Sequence, residues 1–254
     1  MDIKACFERL GLPEDTEVSL TYDFLCELQR RWVLSVPYEN LDILSGIPIS
    51  LDPEQLYGKL ILRRRGGYCF ESNCLLSHIL KQLGFRVKDY LARFLRGESG
   101  IPVRRHRVLA VTAEGATYIC DVGVGQIAPR CPVKLEEGIV QEQCGEKYRF
   151  LRHATLGWVL EEYHARDGWR ALFAFTEEEQ LEIDFIQPSF YCEHHPDSPF
   201  NKSVMVAIKT PDGRKTVSGR EYKVFRGSEL LSLEENLSDA RLSEILKTEF
   251  GISL

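Results

Sequence analysis

The sequence predicts an α+β protein in which helices come first, antiparallel strands follow and one helix closes the chain. Three observations carry that expectation. Apolar residues recur at helical spacing through the first third, the period turns to alternation from residue 86, and one helical stripe returns at the C-terminus.

Ile3, Phe7 and Leu10 form a short stripe ended by Gly11. Leu20, Phe24, Leu25, Leu28 and Trp32 form a second, with Pro37 beyond its end. Pro53 suits a helical first turn, Leu56 and Leu60 follow on one face, and Gly66-Gly67 stop the helix. A fourth helix carries Leu75, Leu76, Ile79, Leu80 and Leu83 and is closed by Gly84, which places Cys69 at its N-terminus. The strands pair as hairpins. "HRVLAVTAEGATYICDVGVG" turns at a polar, glycine-containing loop, "GWVLEEYHARDGWRALFAF" at Asp167-Gly168, and "VMVAIKTPDGRKTVSGREYKVF" at Pro211-Asp212-Gly213. The last helix takes Ser238 as N-cap, Leu242, Ile245, Leu246 and Phe250 as its stripe, and Gly251 as its stop.

A chain of 254 residues, 44% hydrophobic and 28% charged, suits one compact unit with two or three subregions. The formal net charge of -6 disfavours a general nucleic-acid binder. "MDIKACFERLGLPEDTE" holds no apolar run of the length a signal peptide or membrane span needs, so a cytoplasmic protein is expected. The eight cysteines, with no C-x-x-C pair, are expected to be reduced. Cys192, His194 and His195 lie together in "YCEHHPDSPF" but lack a second half elsewhere, and no metal is expected.

The chemistry concentrates around "RRRGGYCFESN", residues 63–73. Cys69 is either a small buried filler or a thiol set up to react. A helix N-terminus favours a thiolate, and Gly66 and Gly67 leave room for a substrate carbonyl beside the sulfur. Backbone N–H groups at this turn are candidate oxyanion donors. His106 and Asp121 lie on the two strands of the first hairpin. A loop of two or four residues pairs positions whose numbers sum to 227, 229 or 231, and every one of those registers puts His106 and Asp121 on one face. Each residue has a structural reading of its own: filler for Cys69, a strand histidine for His106, a turn former before Gly123 for Asp121. Their combination supplies the three parts of thiol catalysis. His78 sits too far along its helix to reach Cys69, and His153 and His164 lack a carboxylate at a telling spacing.

Together "VPYENLDI" (36–43), "RRRGGYCFESN" (63–73), "HRVLAV" (106–111), "DVGVG" (121–125) and "HPDSPFNKS" (195–203) make the chain similar to the arylamine N-acetyltransferases of bacterial type. The resemblance covers essentially the whole chain. It implies an N-terminal helical bundle (1–85), a central antiparallel β-barrel (86–190) and a C-terminal α/β lid (191–254) around a cysteine-protease-like Cys-His-Asp core. It implies Cys69 as the acetylated nucleophile, His106 as base and Asp121 as orienting acid. The implied reaction is ping-pong, with acetyl-CoA as cosubstrate, no metal, and small aromatic amines or hydrazines as acceptors. Tyr38, Gly67, Tyr68, Phe70 and Val124 are the expected substrate contacts, and Gly123 and Gly125 the expected CoA contacts. A monomer or weak homo-oligomer is expected, with no nucleic-acid or membrane partner.

Three departures stand out. Val124 replaces a common aromatic, which predicts a roomier acceptor site with less stacking. Tyr38 stands where phenylalanine is common and adds a hydroxyl. Gln29 and Trp32 stand where many bacterial relatives carry histidine, a change expected to touch the helical bundle and leave the triad alone. The competing readings are a transglutaminase-like or other thiol hydrolase and a catalytically silent binding module. A papain-like peptidase fits poorly, since only 37 positions separate Cys69 from His106.

Overall fold

A computed structural model describes residues 1–253 of the chain. Helices α1 (Ile3–Arg9) and α2 (Tyr22–Ser35) begin where Asp2 and Thr21 accept the N–H groups of Lys4 and Phe24. Phe7, Leu10, Leu25, Leu28 and Trp32 of the expected stripes are buried and Ile3 and Phe24 partly so, while Leu20 falls before α2 and stands exposed. A two-residue strand, β1 (Tyr38–Glu39), and a short helix, α3 (Leu41–Leu44), follow. The third expected helix is only α4 (Pro53–Leu56), which runs on into a π-helical stretch, Tyr57–Leu62. From that stretch Lys59 is buried, where an unbroken α-helix had been expected. Helix α5 (Cys69–Gln82) is buried along most of its length, as befits a helix at the centre of the molecule.

The next strands are β2 (Arg86–Phe94), β3 (His106–Ala113), β4 (Ala116–Cys120), β5 (Val133–Lys134), β6 (Gln141–Gln143), β7 (Glu146–His153), β8 (Gly157–His164) and β9 (Gly168–Glu179). They form one antiparallel sheet in the order β5-β4-β3-β2-β9-β8-β7-β6, curled into a nearly closed barrel. Its two ends meet through side chains. The Gln141 amide accepts the Lys134 N–H at 2.7 Å and donates to the Lys134 carbonyl at 2.8 Å. The Gln143 amide grips both backbone groups of Cys131 in the same way. Side-chain amides thus bridge a seam that the backbone ladder leaves open. Tyr148, Phe150, Leu160, Phe173 and Phe175 fill the interior.

Helix α6 (Ile186–His194) leads to β10 (Met205–Thr210), β11 (Gly213–Ser218), β12 (Glu221–Arg226), β13 (Glu229–Glu234) and α7 (Asp239–Phe250). The second sheet runs β1-β10-β11-β12-β13, so its first edge comes from the N-terminal third of the chain. α7 covers it with Ile245, Leu246 and Phe250 against Val206, Val217 and Tyr222. Tyr38 pairs with Ala207 on one side and bridges Gly67 on the other. β1 therefore stitches the C-terminal sheet to the turn that carries Cys69. One cysteine expectation fails: Cys26 and Cys131, 105 positions apart, are joined in a disulfide, while the other six are free. A pair so distant in sequence leaves no spacing signature.

Candidate active site

Cys69 is the first residue of α5, and the turn before it is held from below. Glu71 reaches back so that its Oε2 accepts the Tyr68 N–H at 3.1 Å, and its Oε1 lies 2.7 Å from Lys59 Nζ. Lys59 also pairs with Asp42 at 2.7 Å, and Asp42 and Glu39 together hold Arg65 at 2.8 Å each. Of the three consecutive arginines, Arg65 thus belongs to this ionic cluster, whereas Arg64 makes only an exposed pairing with Glu8. Burial pushes the Glu71 carboxyl up to about 7 despite Lys59 beside it. Deleting one member of such a cluster strands a buried charge, at a cost of about 3–5 kcal/mol.

The glycines differ from expectation. A Cβ on Gly66 would overlap the Pro37 carbonyl, and one on Gly67 would lie 2.9 Å from the Glu71 side chain. Both glycines therefore clear the protein's own packing, and the room beside the sulfur is not theirs. A Cβ on Gly123 would lie 2.5 Å from Cys69 Cα, so the 121–125 turn abuts the Cys69 backbone. The Gly67 N–H donates to Pro37 and the Tyr68 N–H to Glu71. The N–H groups of Cys69 and Phe70, in the helix's first turn, have no internal acceptor among the described residues.

The hairpin register is one of those expected. β3 and β4 join through Glu114-Gly115 with Ala113 opposite Ala116 and Leu109 opposite Cys120, so paired numbers sum to 229. His106 at the start of β3 and Asp121 just past β4 share a face, and His106 Nε2 lies 2.7 Å from Asp121 Oδ2. The Cys69 thiol donates to the Arg105 carbonyl at 3.8 Å, His106 stands near enough to bias its ionisation, and with Nε2 committed to Asp121 the nitrogen left for sulfur is Nδ1. All three side chains are buried, Cys69 at 3% exposure. Burial opposes charge on His106, but Asp121 and Cys69 outweigh it and lift the imidazole to about 10. Burial pushes the Cys69 thiol up, and His106 pulls it the other way.

Two supporting residues were not legible as such. Asn73, one turn after Cys69, donates from Nδ2 to Asp121 Oδ1 at 2.9 Å and to the Arg107 carbonyl at 2.6 Å, while its Oδ1 accepts the Val122 N–H. One helix therefore presents the thiol and fixes the acid; the i, i+4 spacing within "CFESN" was the available signal. Gln29 is the second. Expected to leave the triad alone, it instead accepts the Asp121 N–H at 3.2 Å.

A cavity of about 730 Å³ opens above Cys69 and His106. Tyr38, Phe94, Val124 and Phe200 give it aromatic and apolar walls, and Gly123 and Gly125 also face it. Gly67, Tyr68 and Phe70 do not line it. Tyr68 is fully buried with its hydroxyl 2.6 Å from Ser189 Oγ, and Phe70 packs on Phe185. Consecutive residues entering a helix point in different directions, and here only Cys69 faces the cavity. The Tyr38 ring rests against Gly125, and its hydroxyl has no hydrogen-bond partner among the described residues. Four cations border the cavity. Arg96, Arg105 and Lys223 pair with Glu162, Glu98 and Glu221. Arg214 alone has no carboxylate partner among the described residues. Gln126 and the Gly227 carbonyl hold its guanidinium, which lies 3.9 Å over the Phe225 ring.

The "YCEHH" residues do not converge: Cys192 is buried, while His194 packs at a tilt against Phe190 and His195 stacks on Tyr191. Cys74, His78 and Glu182 do come within 4.8 Å of one another, but both Glu182 oxygens already accept from Arg107. No helix among the described residues is long and apolar enough to cross a membrane.

Comparison with known proteins points to one family. The sequence model of a family described as N-acetyltransferase matches residues 21–254. The arylamine N-acetyltransferase of Mycobacterium tuberculosis is 37% identical over all of this chain and 90% of that protein. The Escherichia coli arylamine N-acetyltransferase is 32% identical over 93% of this chain and 84% of its own length. The solved M. tuberculosis structure superposes with a TM-score of 0.92 at 37% identity, covering 99% of this chain and 94% of that one. The Mycobacterium marinum enzyme, solved in complex with CoA, gives 0.91 at 33% identity over 99% and 93%. These relatives are all named as N-acetyltransferases, and neither competing reading is favoured. The chain belongs to the arylamine N-acetyltransferase family and is an enzyme that transfers acetyl groups to arylamines.

Proposed function

We propose that the enzyme works by a ping-pong route in which acetyl-CoA acetylates Cys69 and the acetyl group then passes to the nitrogen of an aromatic amine or hydrazine. One observation carries this reading: Cys69 and His106, the latter bonded to Asp121, line a cavity of about 730 Å³ that is also bordered by Arg214, a guanidinium with no carboxylate partner among the described residues. The Cys69 thiolate attacks the thioester carbonyl, and the bond to CoA sulfur breaks as His106 returns a proton to it. The N–H groups of Cys69 and Phe70 supply donors for the oxyanion. The acceptor nitrogen next attacks the enzyme thioester, His106 takes its proton, and Cys69 leaves as the thiolate. Exchange of one thioester for another conserves the acetyl group's reactivity toward the weakly basic amine. Phe94, Phe200 and Tyr38 suit an aromatic acceptor, and Val124 leaves room beside it.

The test is mass spectrometry after mixing with acetyl-CoA and no acceptor. A single added acetyl group on Cys69, hydrolysable and discharged by an added arylamine, is the expected result. Unmodified Cys69 alongside turnover would overturn the ping-pong route.

Arg214 is assigned to the phosphates of CoA on the same reading, since it is a fixed cation with no carboxylate partner among the described residues. Arg214→Ala is expected to raise KM for acetyl-CoA about tenfold, the worth of one charge-assisted hydrogen bond. KM for an acetyl donor without phosphate, such as p-nitrophenyl acetate, should not move. An equal rise for both donors would remove Arg214 from the CoA site.

A further inference from the structure

We infer that Gln29 is a positioning residue for Asp121, and that the Cys26–Cys131 disulfide keeps the loop on which Gln29 depends in place. Gln29 lies on α2, away from the cavity, and is 1% exposed. Its carboxamide spans two segments of backbone. Oε1 accepts the Asp121 N–H at 3.2 Å, and Nε2 donates to the Pro129 carbonyl at 2.8 Å. The first bond replaces a ladder contact. β4 ends at Cys120, the last residue paired with β3, so Asp121 is where the strand stops supporting the chain. A buried N–H there needs another acceptor, and Gln29 provides it.

The second bond ties that acceptor to the 128–132 loop, which returns from the cavity rim. Two residues past Pro129, Cys131 is bonded to Cys26, and Cys26 stands one helical turn before Gln29 on the same face of α2. Gln143 grips the Cys131 backbone from the barrel seam. The acid of the triad is thus braced from both sides. Asn73 holds its carboxylate from α5, and Gln29 holds its backbone from α2. The titratable groups around Asp121 are His106, Cys69, Cys120 and Tyr38. Loosening the brace acts on the first of these, because the 2.7 Å bond to His106 depends on where Asp121 sits. A displaced carboxylate stabilises the imidazolium less, and the Cys69 thiolate is then less favoured.

The proposal rests on the triad reading, and the experiment separates the two. The rate of Cys69 alkylation by iodoacetamide is measured from pH 5 to 10, with single-turnover acetylation by acetyl-CoA and thermal unfolding, for the full chain and its variants. Gln29→Ala is expected to raise the alkylation midpoint by about one pH unit and to slow acetylation about tenfold. Gln29→His, which keeps one donor and one acceptor, should restore most of both. Cys26→Ala/Cys131→Ala should move the midpoint in the same direction, by less. If Gln29→Ala lowers the unfolding temperature and leaves the midpoint unmoved, Gln29 is merely structural and the proposal fails. An unmoved midpoint in the double cysteine variant overturns the disulfide's part. If His106→Gln itself leaves alkylation unchanged, it is the triad reading that has failed.

Discussion

His106→Gln is expected to slow Cys69 alkylation at pH 7 by about 10²–10⁴-fold, and Cys69 acetylation by a similar factor. Glutamine is the informative replacement, because its amide can still donate to Asp121 while carrying no charge. In the native enzyme Asp121 holds the imidazole protonated up to a pKa of about 10, so an imidazolium faces the sulfur across the neutral range. Without it, the upward push of burial on the Cys69 thiol, to which Cys192 and Asp121 add, is no longer opposed, and its ionisation moves further up than in the native enzyme. The variant's alkylation rate should therefore climb at higher pH than the native enzyme's. Stability follows the same pair with a definite sign. A group raised from 6.5 to about 10 on folding contributes fully below pH 6.5, and that contribution is lost as pH rises toward 10. His106→Gln should therefore cost more stability at pH 6 than at pH 10. Alkylation as fast as native at pH 7 would show that the imidazole does not activate the sulfur.

How much of this site was legible in the sequence depends on the distance over which each contact forms. The His106–Asp121 pairing followed from a period of two and an even loop, both local properties of a single hairpin. Cys69 at a helix mouth followed from an apolar stripe after two glycines. The supports of the triad join distant segments: Gln29 meets Asp121 across 92 positions, and Asn73 meets it across 48. Nothing in either residue's neighbourhood announces its partner. The same holds for the Lys59 cluster, whose burial requires a π-helical stretch that no periodicity signals. β7 is hard to read because only Lys147 and Arg149 alternate with Tyr148 and Phe150, Arg152 falls on the apolar side, and the strand follows a polar one, β6. α6 was missed because it carries Pro188 and exposes Ile186 and Phe190. The glycine turn was recognised but its purpose was misjudged. Glycines mark close approach, and sequence alone does not say whether a ligand or the chain itself approaches.

That ambiguity is resolved experimentally at Gly123. Gly123→Ala is expected to lower kcat about 10²-fold, because the added methyl would lie 2.5 Å from Cys69 Cα and 2.8 Å from Asn73 Nδ2. The first turn of α5 has little freedom to yield, being tied through Glu71 to Lys59 and Asp42. The 121–125 turn must move instead. Its movement pulls the Gly123 N–H away from Asp121 Oδ1, now 2.8 Å distant, and with it one of the two bonds to Oδ1 that aim the carboxylate at His106. The strain should also cost about 1–3 kcal/mol of stability, readable as a lower unfolding temperature. Single-turnover acetylation distinguishes the two roles of this glycine. As an abutment against the nucleophile, its replacement slows the acetylation step at saturating acetyl-CoA and slows alkylation of Cys69 equally. As a CoA contact, it would raise KM for acetyl-CoA and leave alkylation by a small reagent untouched, and that outcome would return Gly123 to the cosubstrate site.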